Sequence, residues 1–503
     1  MLKTFLTSTR AHRPRLSWAL IALFAGYAAF LSFHLEAWAG GSDSSGYMNQ
    51  ARFLADGKIH VPQKIPAALN PEPFDWFTFI PLGFHPLPAT KEMAPSYPVG
   101  LPLILVGLAQ VAGWNAAPPL AMLLSALLGV ALMIPLGRLA GLPRGWSWFG
   151  AFLLAASPLY TAMSLQLFSD VPATTAALGT IIFAWRSRSH GRSALAAGAL
   201  FALAVLIRPS NAVLILPVAV CLGRNWRRWI WLGAGGLPGA AFQGVYNLQA
   251  YGGVLKSGYG SVGSLFSSEF LPGILLHYAK WLPFLLTPIG LLIFALPWCA
   301  RDRRRAAAVL MTWFLGVLGF YATYKHTSDA WWYLRFVLPA FPPAIVGGLW
   351  VAHVAWTRLP ATSFVQPRSR RLALLLIAVI FAHSVLWHNF LGAARAGRGE
   401  AMYHGALAWA GSHLPANAVL ISMQCTGALA YQGRFEIVRW DLLTPARFDL
   451  VTQACAKAGQ PVYAMLFDHE ENDALNVRAP GGWKKIGEHQ LISFWQWSPV
   501  PAA

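Results

Sequence analysis

Apolar runs close to twenty residues long recur from Leu16 to Leu391, separated by short polar and basic stretches. A helix of that length crosses a hydrocarbon core of roughly 30 Å. The pattern predicts spans near 16–37, 116–137, 145–163, 171–186, 193–207, 210–223, 229–248, 283–300, 306–324, 333–357 and 371–392, eleven in all. Two of them are joined by the very tight turn Arg208-Pro209-Ser210-Asn211. The first run reads as a retained signal anchor, because its apolar core is long and Glu36-Ala37-Trp38 offers no small-residue cleavage site. The apolar stretch Val99–Ala112 is assigned differently. It holds Pro102 and two glycines and falls short of the roughly 17 residues that a span needs. Residues 98–113 are therefore expected to form an interfacial helix on the outer face.

Beyond residue 394 the pattern changes. Ala418–Met423, Phe435–Arg439, Val462–Phe467 and Leu491–Trp497 read as strands, and Arg447–Lys457 has helical periodicity. The expected architecture is a polytopic α-helical membrane domain over 1–394, with a first external loop at 38–97 that carries a short interfacial helix over 47–54, followed by a small extracytoplasmic α/β domain over 395–503. No G-x-G-x-x-G, Walker A, H-E-x-x-H or zinc-type Cys/His spacing occurs, so nucleotide-driven transport and zinc proteolysis lack support.

Composition agrees with the pattern: 56% of the 503 residues are hydrophobic and 11% charged, against about 25% charged in a soluble domain. The net charge of +19 does not point to nucleic acid once its placement is considered. Twenty of the 38 Lys and Arg fall in six clusters between apolar runs: Lys3–Arg15, Arg138/Arg144, Arg186–Arg192, Arg224–Arg228, Arg301–Arg305 and Arg358–Arg371. Such clusters mark cytoplasmic loops. They predict a multi-pass protein of the cytoplasmic (inner) membrane, with the N-terminus inside and the C-terminal domain on the periplasmic side. Of four cysteines, Cys221 and Cys299 fall in spans, whereas Cys425 and Cys455 fall in the external domain, where an oxidising compartment permits a disulfide.

Chemistry at this surface needs charged groups at the outer interface, and these are few. Asp43, in Ser42-Asp43-Ser44-Ser45-Gly46-Tyr47, follows span 1 by a few residues. An acid there can serve as a general base toward a hydroxyl or amine, or simply cap a helix. Asp170, in Leu167-Phe168-Ser169-Asp170-Val171-Pro172, lies in an external turn on the same side and reads as a helix cap or, with Asp43, as a second carboxylate that could share a base role, bind a metal or orient an acceptor. Arg208 and Arg335 sit at outer span ends, where a guanidinium can grip a phosphate or snorkel to headgroups. Lys91, Glu92, Lys325 and His326 are supporting candidates from the same side.

Taken in order, several short motifs resemble the motif series of the GT-C glycosyltransferases. They are Asp43 with Tyr47, Ser96-Tyr97-Pro98-Val99-Gly100-Leu101-Pro102, Ser169-Asp170-Val171-Pro172, Ile207-Arg208-Pro209, Tyr246-Asn247, Tyr251-Gly252, Gly258-Tyr259, and Arg335-Phe336 with Pro339. The branch most similar is the bacterial one that includes protein mannosyltransferases and lipid A aminoarabinose transferases. The resemblance covers roughly residues 15–345. It implies transfer of one sugar, hexosyl or pentosyl, from a polyprenyl-phosphate donor to a lipid, glycan or protein acceptor, with inversion. By motif position, Asp43 would be the base, Asp170 the second acid, and Arg208 and Arg335 the groups at the donor phosphate, with Tyr47, Tyr97 and Tyr259 nearby. Two departures stand out. A Lys-Pro-Pro element of the family is replaced by Pro95-Ser96-Tyr97-Pro98, with Lys91 out of register, and Asp43 is followed by Ser44 rather than a second acid. Some members hold a divalent metal near the first acid, so the resemblance leaves a metal open here.

Two other classes compete. A flippase or transporter for a lipid-linked glycan should carry charges at the bilayer midplane and inverted repeats, whereas here the acids sit at span ends and no repeat is evident. A lipid-linked oligosaccharide ligase or polymerase should have its long external loops late in the chain rather than first.

Overall fold

The computed structural model describes residues 18–260, 263–358 and 369–499. The basic cluster Lys3–Arg15, the first residues of span 1 and Arg368 of the last cluster lie outside the described residues.

Each predicted span is helical over most of its length, but continuity differs from expectation. Among the described residues two helices are both long and apolar enough to cross a membrane, Ala117–Ala140 and Trp331–Thr357. A third candidate is a pair, Leu375–Phe390 and Ala393–His413, bent by 54°. The count of about eleven uninterrupted spans is therefore not met by helix length. Proline, which lacks an N–H donor and crowds the preceding turn, accompanies the breaks in three of the stretches. The 145–163 stretch is broken into Arg144–Ala155 and Pro158–Ser164 at Ser157-Pro158. The 210–223 stretch begins as a 3-10 turn, Pro209–Leu214, before Ile215–Leu222. The 283–300 stretch is divided among the end of Leu271–Leu285, Pro288–Leu291, Leu292–Ala295 and Leu296–Cys299.

The exterior is nevertheless that of a membrane protein. Leu237, Phe242, Val245 and Leu248 of the helix Trp226–Tyr251 are exposed, as are Leu375, Val379, Phe381, Leu386 and Phe390 of Ser369–Phe390. Apolar faces of this extent suit hydrocarbon rather than water. The basic clusters meet in pairs. Arg228 donates to the Arg188 carbonyl at 3.4 Å, and the Arg303 guanidinium lies against Gly141, just after Arg138. Asp170 begins and Arg186 ends one helix of 17 residues, about 25 Å long, so the clusters Arg186–Arg192 and Arg224–Arg228 lie at the end of the bundle away from Asp170.

The first loop forms the helix expected over 47–54, longer than expected, and adds a small sheet that its sequence did not suggest. It holds the helix Ser42–Ala55 and a small antiparallel sheet in which Glu92–Pro95 lies between Val61–Pro62 and Phe84–Leu87. Residues 98–113, expected to lie at the interface, contain the helix Gly100–Ala112, with Val111 almost fully exposed and Leu101 and Leu105 buried.

In the C-terminal region all four predicted strands form, together with a fifth, Gly482–His489. The spatial order is Glu436–Arg439, Val419–Ser422, Val462–Phe467, Ile492–Ser498, Gly482–His489, the first three parallel and the last two antiparallel. Side chains alternate between two cores, as the strand period requires. Val419 and Ile421 face Phe448 and Val451 of the helix Pro445–Lys457, where Leu69, Phe74 and Phe79 of the first loop also insert. Leu420 faces Met402, Ala406 and Ala410 of Ala396–His413. Cys425 belongs to the second core and Cys455 to the first, on opposite faces of the sheet. Both thiols are free, so the Cys425–Cys455 disulfide is not formed.

Candidate active site

The helix Ser42–Ala55 starts at Gly41, which contributes no side-chain cap. Asp43 is already inside the first turn, so the capping role is not its own and its carboxylate is directed elsewhere. Tyr97 Oη donates to Asp43 Oδ1 at 2.7 Å, and Arg335 Nη2 donates to Oδ2 at 2.6 Å. Tyr97 fits here because Gly46 leaves no room for a Cβ against its ring. Ser42 Oγ lies 3.0 Å from the Tyr97 hydroxyl and steadies it from the other side.

Asp170 is the first residue of Asp170–Arg186 and is 1% exposed. Arg208 Nη1 donates to its Oδ1, and Arg335 Nη1 stands 3.7 Å from its Oδ2. Arg208 is extended at the C-terminal end of Ser193–Ile207, where Pro209 ends the helix. Arg335 lies on the 3-10 stretch Trp331–Ala340. The four groups thus form one chain of alternating charge, Asp43–Arg335–Asp170–Arg208. Both guanidiniums also pack on rings: Arg335 is 4.5 Å from the Phe168 centroid, and Phe336 lies 5.3 Å from Arg335 and 5.1 Å from Arg208. These faces hold the cations where water is scarce.

This chain lines a cavity of about 280 Å³ whose other walls include Tyr47, Tyr97, Tyr259, Tyr321 and Tyr324. Tyr259 enters because Gly258 packs on the backbone of Pro95 and Ser96, where a Cβ would sit 2.6 Å from both carbonyl oxygens. Burial alone would raise the Asp43 carboxyl. The charge of Arg335 and the hydrogen bonds from Tyr97 and Arg335 outweigh it and hold the pKa below the ordinary aspartate value. Burial and the Asp43 charge push Tyr97 and Tyr47 upward, so both stay protonated as donors.

The sequence-derived candidates divide cleanly. Asp43, Asp170, Arg208, Arg335, Tyr47, Tyr97 and Tyr259 come together around one cavity. Lys91, Glu92, Lys325 and His326 do not line it. Lys91 sits in the turn before Glu92–Pro95 with φ 54°. Glu92 faces His60 at 3.6 Å, and His326 is held by Asp329 at 2.7 Å. Tyr321 and Tyr324 of the cavity were missed from sequence, because aromatic residues near span ends are too common to single out, whereas Ser42, Phe168 and Phe336 stand in the quoted motifs but were given no role there. Among the described residues no three His, Cys, Asp or Glu side chains are placed to hold a metal. Each carboxylate of the site already faces a guanidinium, so the donor set as it stands does not fit a dication.

No protein-family model and no curated protein matches the chain. Solved structures do. ArnT from Cupriavidus metallidurans, bound to undecaprenyl phosphate, superposes over 95% of this chain and 98% of its own, with TM-score 0.54 and 16% identity. The chain has the GT-C fold. The same GT-C architecture extends to the archaeal oligosaccharyltransferase AglB from Archaeoglobus fulgidus, in complex with an inhibitory peptide and a dolichol-phosphate, with 96% of this chain and 74% of that one covered, TM-score 0.55 and 12% identity. The arabinofuranosyltransferase AftD from Mycobacteria matches 96% of this chain and 40% of its own, with TM-score 0.50 and 13% identity. At these identities the likeness concerns the GT-C fold, and chemistry has to be argued from the cavity.

Proposed function

We propose that this protein is a membrane glycosyltransferase that moves a single sugar from a polyprenyl-phosphate donor to a lipid, glycan or protein acceptor at the outer face of the cytoplasmic membrane. The observation that carries this reading is the alternating chain Asp43–Arg335–Asp170–Arg208 along one wall of an aromatic cavity. It offers one partly accessible carboxylate beside two cations. The Asp43 side chain keeps 27% of its exposure, against 1% for Asp170.

In this reading the donor phosphate lies against Arg335 and Arg208. The Arg335 Nε–H is buried and has no partner in the protein, so it is a donor left over for a phosphate oxygen. An acceptor hydroxyl or amine hydrogen-bonds to Asp43 and attacks the anomeric carbon from the face opposite the phosphate. The bond from that carbon to the phosphate oxygen breaks, and the phosphate leaves with the electron pair. The guanidiniums stabilise the charge developing on it. The acceptor proton passes to Asp43, and the single displacement inverts the sugar carbon. The likeness of the fold to a structure bound to undecaprenyl phosphate and to another in complex with a dolichol-phosphate supports a lipid phosphate as carrier.

Mass spectrometry of envelope glycolipids and glycoproteins from a deletion strain tests the reading. One monosaccharide should disappear from one acceptor and return with the wild-type gene. An unchanged envelope, with no transfer from any polyprenyl-phosphate sugar in vitro, would rule it out.

A further inference from the structure

The helix that carries Asp43 has no cap of its own, yet its entry is fixed. The fixing group comes from the far end of the chain. Glu400, on the helix Ala396–His413, directs one carboxylate oxygen at the residues leading into Ser42–Ala55. Its Oε2 accepts from the Gly40 N–H at 2.7 Å, the Gly41 N–H at 3.1 Å and the Ser44 hydroxyl at 2.6 Å. Glu400 is 5% exposed. A buried carboxylate is costly unless donors converge on it, and here three converge on one oxygen. A negative charge beside a helix N-terminus also opposes the positive end of the helix dipole.

The contact is built closely on both sides. A side chain at Gly40 would collide with the Tyr403 ring and, at 2.7 Å, with the Glu400 carbonyl. One turn further along, Ser45 fills the space that a Cβ at Gly427 would need, and Asn49 Nδ2 donates to the Gly427 carbonyl at 3.0 Å. Asp43 projects from the same turn as Ser44 but into the cavity. Glu400 therefore holds the helical turn that carries Asp43, and no hydrogen bond joins the two carboxylates.

We infer that Glu400 is a positioning residue, which sets the entry angle of the helix Ser42–Ala55 and so holds Asp43 in register with Arg335 across the cavity. The inference rests on the transfer reading given above for its kinetic consequence, but the anchoring itself can be read without activity. A misplacement of about 1 Å of a reacting group can cost roughly 100-fold in rate. The expected signature of Glu400→Ala is a fall in kcat of that order, per enzyme molecule competent to bind undecaprenyl phosphate, with donor KM changed less than about threefold. Glu400→Gln keeps an acceptor oxygen in the same place and should recover most of the loss. Ser44→Ala removes one of the three donors and should lower kcat by a few-fold.

Hydrogen–deuterium exchange on the detergent-solubilised full chain supplies the independent arm. Peptides covering residues 38–48 should exchange faster in Glu400→Ala and close to the wild-type rate in Glu400→Gln. If Glu400→Ala leaves both exchange and kcat per competent enzyme at wild-type values, the inference is wrong. If kcat falls equally in Glu400→Gln and Glu400→Ala, or if only the yield of folded protein falls, positioning is also excluded. A wild-type protein without transfer activity but with the predicted exchange pattern would instead sink the functional reading and leave the anchor standing.

Discussion

Asp43 and Asp170 occupy similar places in sequence, each an acid in the first turn of a helix, yet their surroundings differ in kind. Asp43 opens onto the cavity and is held by one phenol and one guanidinium. Asp170 is sealed, with Arg208 on one oxygen and Arg335 at 3.7 Å from the other. In the proposed reaction the accessible acid would meet an acceptor, whereas the sealed one would orient two arginines. A reading in which both carboxylates share a base role fits the turns in sequence but not this division. The sealed position of Asp170 also explains how two cations persist at a buried surface: each guanidinium is compensated by Asp170 and spread over a ring.

Substitutions can break this contrast, the largest effect first. Asp43→Asn keeps the size and the bond from Arg335 but removes the proton acceptor, so kcat should fall by at least about 10³-fold while carrier binding persists. Asp170→Asn leaves two buried arginines short of a counter-charge. It should cost about 3 kcal/mol of stability, read as a lower midpoint in thermal unfolding, and weaken carrier binding before it slows chemistry. Arg335→Gln sharpens the assignment through pH. The Asp43 pKa is depressed by Arg335, so its ionised form persists as pH falls below the ordinary aspartate range. Without Arg335 burial prevails, and the acid limb of kcat/KM should move upward. Tyr97→Phe removes one hydrogen bond to the Asp43 carboxylate and should cost about tenfold in kcat/KM. Lys325→Ala and His326→Ala, outside the cavity, should stay within about twofold of wild type.

Much of this arrangement was legible before the structure. Hydropathy placed the helices, and the basic clusters put Asp43, Asp170, Arg208 and Arg335 at one end of the bundle. What sequence could not supply was pairing. Arg335 reaches Asp43 across 292 positions and Glu400 reaches Gly40 across 360, and no local pattern encodes such contacts. Supporting candidates chosen only for charge and side, such as Lys91 and Lys325, lie outside the cavity, because sharing a membrane face is a weaker constraint than sharing a cavity. The missed strand Gly482–His489 is an edge strand with Lys484, Lys485, Glu488 and His489, so it lacks the apolar alternation that marks a strand half-buried in a core. The small sheet of the first loop escaped because its strands are two to four residues long and each contains proline.

The division of labour between the two acids is tested most directly by single-turnover transfer with purified protein saturated with a polyprenyl-phosphate sugar, comparing Asp43→Asn with Asp170→Asn at equal carrier occupancy. The account predicts that Asp43→Asn binds carrier and scarcely transfers sugar, while Asp170→Asn, once carrier-bound, transfers at a rate much nearer wild type. Near-normal transfer by Asp43→Asn would contradict it.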